Sequence, residues 1–286
     1  MAGILTGKSI IVTGAGRGLG RAYALDVAAA GAFVLVNDLD PSTADSTRRE
    51  IIAAGGSATA VAGATNTSGF GDRLVAACLE ASGRIDGIVA NAGVISPKSI
   101  FDETFTNAAR TIDVNIMGVI ETVTAAARSM RERGSAGAVV LITSGARCGI
   151  AGMATYGASK GAVASLCWGW ALECAPFGIR VNALSPVART EMFPQPGDTE
   201  SDPYAPDTIA PAVTYLLSDL ATSITGQILR FTGDTVALYP APTIASAQES
   251  GTQWTSESIA RALAGPLAPG LAPVGAALDL AVPTHR

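Results

Sequence analysis

Short apolar runs alternate with helix-like stretches over most of this chain. The runs are rich in Val, Ile, Leu and Ala and end in Gly, Asp, Asn or Ser, which is typical of buried strands. They lie at residues 8–13, 32–37, 57–62, 85–90, 138–143, 179–184 and 227–231. Helical patterns lie between them, at about 19–30, 42–54, 68–82, 103–133, 156–175 and 208–219. This alternation predicts an α/β fold: one doubly wound parallel sheet of about seven strands with helices on both faces.

Two stretches lack the periodicity of the rest. Residues 191–207 are rich in Pro and acids, and we expect a mobile loop over the substrate there. Residues 240–286 are rich in Ala and Pro, with one helical stretch near 256–264. We expect residues 1–239 to form one domain and residues 240–286 to form a C-terminal arm, not a separate domain.

Composition narrows the function classes. A hydrophobic content of 48% with 15% charged residues predicts a compact core, and a net charge of −5 argues against a nucleic-acid partner. The cysteines are scattered without CxxC spacing, which favours reduced thiols in a cytoplasmic protein. The only histidine is His285, so we expect no metal site. No apolar run reaches the ~18 residues of a membrane span, and the start lacks a signal-peptide pattern.

A glycine-rich turn joins the first predicted strand to the first helix. Its spacing is Gly14-x-x-x-Gly18-x-Gly20, with Arg17 inside it. Glycines let the backbone approach a pyrophosphate, and the amides of a helix N-terminus face the anion. The alternative is a plain tight strand–helix turn.

Asp38 ends the second predicted strand, 18 residues after Gly20. A carboxylate at that distance meets the ribose hydroxyls of a dinucleotide and repels a 2′-phosphate, so it favours NAD over NADP. Arg17 argues mildly for NADP, and the alternative for Asp38 is a solvated loop acid. Gly14, Asp38 and Asn91 all follow strands, so we expect them at one edge of the sheet.

Tyr156 and Lys160 are four residues apart on a predicted helix, so they share a face. An ammonium group favours the phenolate, and a cationic cofactor such as an oxidised nicotinamide adds to this. The spacing predicts an acid–base pair acting on a hydroxyl or a carbonyl; the alternative is an ordinary surface helix. Asn115 indicates either a local helix distortion that frees a carbonyl for water or an amide that ties the helix to a loop.

Together these segments resemble the short-chain dehydrogenase/reductase family. The resemblance rests on TGAGRGLG (13–20), Asp38, NAG (91–93), Asn115, Ser144 and YGASK (156–160), and it runs from about Lys8 to Gly233. It implies a Rossmann-type catalytic domain, a nicotinamide cofactor, and hydride transfer between a secondary alcohol and a ketone.

The resemblance also implies residue roles. Tyr156 would be the general acid/base, and Lys160 would hold the nicotinamide ribose and lower the tyrosine pKa. Ser144 would hydrogen-bond the substrate oxygen, and Asn115 would hold a water that relays protons to Lys160. The implied cofactor contacts are Gly14, Arg17, Gly18, Leu19, Gly20, Asp38, Leu39, Ala64, Thr65, Asn91, Ala92, Gly93, Tyr156, Lys160, Pro186, Val187 and Thr190.

Four positions bear on these roles. Ala64 stands where the family often has an aspartate, and Val187 replaces the glycine that usually follows the proline. Thr190 matches the usual carboxamide contact. The serine-to-tyrosine spacing is one residue shorter than in many members, which leaves Thr143 as a weaker rival of Ser144.

The sequence thus favours an NAD-dependent dehydrogenase of a hydrophobic secondary alcohol. The run VNDLD and the tail resemble bacterial hydroxyacyl-CoA and hydroxysteroid dehydrogenases. The alternatives are an NADPH-dependent 3-ketoacyl reductase and a non-catalytic dinucleotide sensor. Residues 161–172 show no clear polar face, which indicates packing within the chain or, as the family suggests, a subunit interface of a homo-oligomer, usually a tetramer.

Overall fold

The computed structural model describes residues 3–188, 204–232, 234–251 and 253–271. Its contacts divide the chain into two units, Met1–Tyr239 and Pro240–Arg286. The whole sheet lies in the first unit. In the second, helix α8 (Ser256–Ala264) begins with a reciprocal hydrogen-bonded cap between Thr255 and Ser258. That residues 240–286 form an arm and not a separate domain stays a prediction.

Eight strands form one sheet in the order β3-β2-β1-β4-β5-β6-β7-β8. All neighbouring pairs are parallel except the antiparallel pair of β7 and β8. The strands are β1 Ser9–Val12, β2 Phe33–Asp38, β3 Ser57–Ala62, β4 Gly87–Ala90, β5 Gly137–Ile142, β6 Ile179–Pro186, β7 Ile228–Phe231 and β8 Val236–Tyr239.

Helices cover both faces of this sheet. In the first unit they are α1 Gly18–Ala29, α2 Pro41–Ala53, α3 Phe70–Ser82, α4 Phe105–Ile112, α5 Gly118–Glu132, α6 Ala154–Cys174 and α7 Pro206–Leu217. Strand β1 shows how the core is divided: Ile10 and Val12 pack towards α1 and α7, whereas Ile11 packs towards α3, α5 and α6. A strand buried on both faces is apolar throughout, which is why these runs do not alternate.

The doubly wound α/β fold predicted from the sequence is confirmed. The order in which strands are added reverses at β1: β2 and β3 lie on one side of it, and β4 and the later strands lie on the other. In such sheets a ligand binds outside the carboxyl ends of the strands at this point. The fold therefore directs attention to the ends of β1, β2 and β4, where the predicted cofactor residues stand.

Two elements differ from the sequence-based prediction. Strand β8 adds an eighth strand; its exposed Val236 and Leu238 alternate with partly covered residues, so it lacks the apolar run of the buried strands. The long helix expected over 103–133 is α4 and α5 joined by a wider π-helical turn at Asp113–Met117. Of the loop expected at 191–207, residues 191–203 lie outside the described residues.

Candidate active site

The glycine turn after β1 is tightly built. Gly14 has φ +61°, and a Cβ there would lie 2.8 Å from the Cα of Ala92. A Cβ on Gly20 would lie only 1.9 Å from the carbonyl oxygen of Gly14. Gly18 also has a positive φ of +53°, which disfavours a side chain. The described structure provides no side-chain cap at the start of α1, so its first amides suit an anion such as a pyrophosphate.

Asn91 braces this turn from the end of β4. Its Nδ2 donates to the carbonyl oxygens of Thr13 and Gly14, at 3.0 Å each. In return, the Thr13 hydroxyl oxygen accepts hydrogen bonds from the backbone amides of Asn91 and Ala92, both at 3.1 Å. Asn91 therefore joins the first and fourth strand ends, and it lies where the sequence predicted.

Replacing Gly20 by alanine should close this turn to the cofactor. The new Cβ would force the Gly14 carbonyl away, so we expect NAD binding at least about tenfold weaker and a loss of about 1–3 kcal/mol in the free energy of unfolding. Calorimetric titration with NAD and urea unfolding measure both. Gly169→Ala is the matched control: nothing lies within 4 Å of its Cβ position, and it should be neutral or stabilising. Equal NAD affinity in the two variants would contradict this function of the turn.

Asp38 lies beside the turn at the end of β2. Its Oδ2 accepts a hydrogen bond from the amide of Gly16 at 2.8 Å, and its Oδ1 accepts one from the amide of Asp40 at 3.3 Å. Asp38 is only half-buried. A dinucleotide ribose fits this position, because its hydroxyls are donors and the carboxylate is an acceptor.

Other predicted cofactor residues surround this carboxylate with different exposure. Leu39 is highly exposed, Leu19 and Ala64 are half-buried, and Arg17 is exposed. Hydrogen bonds from Ser42 hold the pKa of Asp40 below its usual value, and the nearby charge of Arg17 adds to this. Thus Arg17 lies near a carboxylate as well as near the turn.

Thr65 is buried and does not line an open surface. A Cβ on Gly118, at the start of α5, would lie 2.5 Å from the Thr65 hydroxyl oxygen.

The sequence analysis missed Asn37, which helps to shape the strand ends at this site. Its buried amide donates to the carbonyl oxygens of Val61 and Gly63 at 3.0 and 3.1 Å. This amide fixes the ends of β2 and β3 relative to each other.

The other cofactor contacts implied by the resemblance lie at the ends of β4 and β6. Gly93 is half-buried two residues after Asn91. Pro186 ends β6, and the amide of Val187 donates to the carbonyl oxygen of Phe231 at 2.9 Å. Thr190 lies outside the described residues.

Asn115 lies within the π-helical turn and is fully buried. Its Oδ1 accepts a hydrogen bond from the amide of Val94 at 2.7 Å; its Nδ2 donates to the Val94 carbonyl oxygen at 2.9 Å and to Ser159 Oγ at 3.0 Å. The helix distortion of the first alternative and the tie to a loop of the second are therefore both present, whereas a carbonyl freed for water stays a prediction.

Ser144 follows β5 and starts the short 3-10 turn Gly145–Cys148. Its Oγ accepts from the amide of Ala146 at 3.2 Å, and its hydroxyl lies close enough to Tyr156 to lower the pKa of the phenol. The rival Thr143 is buried, and its hydroxyl donates to the carbonyl oxygen of Lys160 at 2.7 Å. Thr143 thus anchors α6, whereas Ser144 lies beside the phenol.

Lys160 is almost completely buried, at 4% exposure. Its Nζ donates to the carbonyl oxygen of Ile142 at 2.8 Å and lies 6.0 Å from the centre of the Tyr156 ring. Burial lowers the pKa of Lys160 to about 8. A Cβ placed on Gly93 would lie 3.1 Å from Asn115 Oδ1 and 3.5 Å from Lys160 Nζ. The ammonium, the buried amide and the end of β4 therefore meet at one point.

Burial dominates the electrostatics of Tyr156. It raises the pKa of the phenol, and the neighbouring Ser144 hydroxyl opposes this rise. From the sequence, the charges of Lys160 and of an oxidised nicotinamide could be considered, but the burial of the phenol could not. The ammonium lies 6.0 Å from the ring centre, and no hydrogen bond joins it to the phenol among the described residues.

A carboxylate that the sequence did not identify anchors the residue before Tyr156. Glu103 accepts hydrogen bonds from the Thr155 hydroxyl at 2.5 Å and from Asn107 Nδ2 at 2.7 Å. The bond from Thr155 is the main reason that the pKa of Glu103 lies below its usual value. The contact joins residues 52 positions apart, so no local pattern could reveal it.

The described residues contain no cluster of His, Cys, Asp and Glu side chains suited to a metal ion. None of the described helices combines the length and the apolar character needed to cross a membrane.

Comparison with known proteins agrees with this geometry. The profile of the short chain dehydrogenase family matches residues 8–200. The chain belongs to the short-chain dehydrogenase family. The resemblance inferred from the sequence is thus confirmed, and the protein is an NAD(P)-dependent short-chain dehydrogenase acting on CH–OH groups.

Proteins similar to this short-chain dehydrogenase align with most of its length. The L-rhamnose 1-dehydrogenase (NAD(P)(+)) of Azotobacter vinelandii is 35% identical over 248 residues, 80% of this chain and 97% of the relative. A short chain dehydrogenase structure from Mycobacterium avium has a TM-score of 0.88 and 30% identity, covering 96% of this chain and 98% of that chain. One from Mycobacterium paratuberculosis, bound to NAD, has a TM-score of 0.74 and 30% identity, covering 81% and 98%.

Proposed function

We propose that this enzyme uses NAD to transfer a hydride between a hydrophobic secondary alcohol and its ketone, with Tyr156 as general acid/base. The observation that carries the proposal is the meeting of Ser144, Tyr156, Lys160 and Asn115 at the carboxyl edge of the sheet. A dinucleotide held by the glycine turn would reach the same edge.

The proposed chemistry divides among these side chains. A bound NAD+ supplies the hydride acceptor. Ser144 hydrogen-bonds the substrate oxygen, and Tyr156 removes the hydroxyl proton as the hydride leaves. Lys160, held on the Ile142 carbonyl oxygen, binds the nicotinamide ribose and favours the phenolate. Asn115 holds the water that relays the proton from Lys160.

Because burial raises the pKa of Tyr156, the phenolate needs stabilisation by a positive charge of the cofactor. Bringing a phenol from about 10 to about 7 requires about 4 kcal/mol, at about 1.36 kcal/mol per pKa unit. Burial works against this, and the ammonium is 6.0 Å from the ring centre. A bound oxidised nicotinamide would supply part of the stabilisation, so Tyr156 would lose its proton more readily with NAD+ in place.

A hydrophobic substrate is supported by the segment between β4 and α4. Ile100 and Phe101 are 83% and 94% exposed there. Glu103 of the same segment accepts a hydrogen bond from Thr155 on α6. The segment that carries these two apolar side chains therefore adjoins the catalytic helix. The similar enzyme from Azotobacter vinelandii is named for a sugar, so substrate polarity is not carried over from that relative.

The proposal is tested by absorbance at 340 nm with purified protein, NAD or NADP, and a panel of secondary alcohols. Hydroxysteroids, 3-hydroxyacyl-CoAs and terpene alcohols belong in the panel. Reduction of NAD is the expected result. Turnover with NADP alone would favour the 3-ketoacyl reductase alternative, and tight NAD binding without any turnover would favour the dinucleotide sensor.

Asp38→Asn tests the preference for NAD over NADP. Asparagine keeps an oxygen for the Gly16 amide but removes the charge that repels a 2′-phosphate. We expect the ratio of kcat/KM for NAD over NADP to fall by about 10–100-fold, because close like charges cost a few kcal/mol near a protein surface. Asp45→Asn, at an acid paired with Arg49 on α2, is the control. An unchanged ratio in Asp38→Asn would refute the role of Asp38.

The proposal extends to assembly and location. The buried residues of α6 form one face, whereas Leu172 is 80% exposed and Trp168 and Trp170 are only partly covered. This supports a homo-oligomer, with the tetramer usual in the family, and sedimentation equilibrium would measure it.

All four cysteines are unpaired, which supports the reducing cytoplasm.

A further inference from the structure

Two arginines meet at one tyrosine ring near the carboxyl ends of β6 and β7. Arg147 lies three residues after Ser144, and its guanidinium carbon is 4.2 Å from the centre of the Tyr239 ring. Arg230 donates from Nη1 to the Tyr239 hydroxyl oxygen at 3.1 Å. A single aromatic side chain thus holds two cationic groups, one over its face and one at its hydroxyl.

The strand register adds a buried serine to this cluster. Ser185 on β6 pairs with Arg230 on β7, and paired residues of neighbouring strands point to the same face. Ala183 and Ile228, each two residues earlier on its strand, belong to the apolar layer that packs towards α6. Ser185 and Arg230 therefore lie on the α6 side of the sheet, as does Tyr239, which packs against the same layer.

Three polar atoms of this cluster lack a hydrogen-bond partner among the described residues. Among the described residues, no hydrogen-bond partner is present for the enclosed Nε atoms of Arg147 and Arg230 or for Ser185 Oγ. Neither arginine forms an ion pair within the described part of the chain. The Tyr239 oxygen accepts from Arg230, so the proton of its hydroxyl is also available.

Such a cluster raises the free energy of the folded protein unless a negatively charged group binds to it. Enclosed donors without partners cost free energy, and two neighbouring guanidinium groups repel each other. An oxyanion removes both costs, because it brings negative charge and several acceptor lone pairs. The planar guanidinium matches carboxylate and phosphate oxygens in paired hydrogen bonds.

We propose that Arg147, Arg230, Tyr239 and Ser185 bind an oxyanion, either a carboxylate or a phosphate group. The site adjoins the catalytic helix, because the turn that carries Arg147 packs on α6: a Cβ on Gly157 would lie 2.5 Å from the Ala146 carbonyl oxygen. The oxyanion has two possible sources, an acidic group of the substrate or free phosphate. In the first case, the inference rests on the proposed function and narrows its substrate to an alcohol that carries an acid.

Calorimetric titration of the full chain with inorganic phosphate tests the site. Saturating NAD is present, so that the glycine turn is occupied. We expect the wild type to bind phosphate, and Arg147→Gln and Arg230→Gln to bind it at least about tenfold more weakly. Arg128→Gln, at an exposed arginine paired with Asp72, should bind as the wild type does.

Equal phosphate affinity in all four proteins would overturn the proposal, as would the absence of binding by the folded wild type. If a glutamine variant does not fold, Tyr239→Phe keeps the ring under Arg147 but removes the hydroxyl, and it should also weaken binding. Failure of NAD to bind would count against the proposed cofactor alone. The difference between the arginine variants and Arg128→Gln would still test the oxyanion site.

A kinetic comparison then separates the two sources. If the oxyanion belongs to the substrate, phosphate competes with an alcohol that carries a carboxylate, and kcat/KM for this acid exceeds that for its methyl ester. In Arg147→Gln, this preference should fall at least about tenfold, with the ester unaffected. Phosphate that binds through the arginines without competing would identify the free anion as the ligand.

Discussion

Replacing Tyr156 by phenylalanine is expected to lower kcat for alcohol oxidation by about 10²–10⁴-fold while NAD still binds. The change removes only the phenol oxygen, which lies near Ser144 and is the proposed base. The ring remains in place to pack on α6 and its neighbours. Turnover at 340 nm and calorimetric titration with NAD measure the two effects separately.

Tyr215→Phe is the matched control, because it removes a phenol oxygen from a partly buried tyrosine on α7, away from Ser144. It should keep wild-type turnover. If Tyr156→Phe turns over at the wild-type rate, Tyr156 is not the base. Loss of NAD binding in Tyr156→Phe would instead mean that the phenol supports the cofactor cleft.

The pH dependence should reveal the cofactor's share in activating Tyr156. Burial raises the phenol pKa before any cationic cofactor is present. We therefore expect the ascending limb of the pH profile, on which activity rises as Tyr156 loses its proton, to lie at higher pH for kcat/KM of NAD, which reports the free enzyme, than for kcat/KM of the alcohol at saturating NAD. Both limbs should be absent in the residual activity of Tyr156→Phe.

Much of the fold could be predicted because its signals are local. Strand β3 and helix α8 begin and end where the apolar pattern and the caps predict. Strand β8 was missed, because an edge strand with an exposed face has only a weak apolar pattern. The distortion near Asn115 was one of two alternatives, because an asparagine within a helical pattern is visible in the sequence but the partners of its amide are not.

The site was predictable in its residues but not in its contacts. Gly14, Gly20 and Asp38 were recognised by spacing, whereas the bond from the Gly16 amide to Asp38 depends on how two strand ends meet. The contact of Glu103 with Thr155 likewise has no local pattern. At Tyr156, the spacing to Lys160 is visible in the sequence, but the depth of burial that raises the phenol pKa is not.

Lys160→Met is expected to abolish turnover and yet make the folded protein more stable. Burial lowers the pKa of Lys160 from 10.5 to about 8, which corresponds to about 3 kcal/mol spent at neutral pH on keeping the ammonium charged. Methionine removes this cost but leaves the Ile142 carbonyl oxygen without its donor. A net gain of about 1–3 kcal/mol in the free energy of unfolding at pH 7 is therefore expected.

The pKa of Lys160 also predicts how the stability difference between the wild type and Lys160→Met changes with pH. The pKa of Lys160 is lower in the folded state than in the unfolded state, so between about pH 8 and 10.5 the unfolded chain holds more protons. Lys160 therefore makes the wild type more stable as the pH rises through this window, and its cost is fully present below about pH 8. The stability advantage of Lys160→Met should shrink across the window and vanish above it.

Urea unfolding of the wild type and Lys160→Met at pH 7 and pH 10 measures this difference, in which the titration of tyrosines and cysteines common to both proteins cancels. Lys98→Met, at an exposed lysine after β4, is the control and should change stability little at either pH. A Lys160→Met variant less stable than the wild type at pH 7 would mean that the ammonium is stabilised in the folded state. Greater stability with lost turnover would mean that Lys160 is kept for function at the expense of stability.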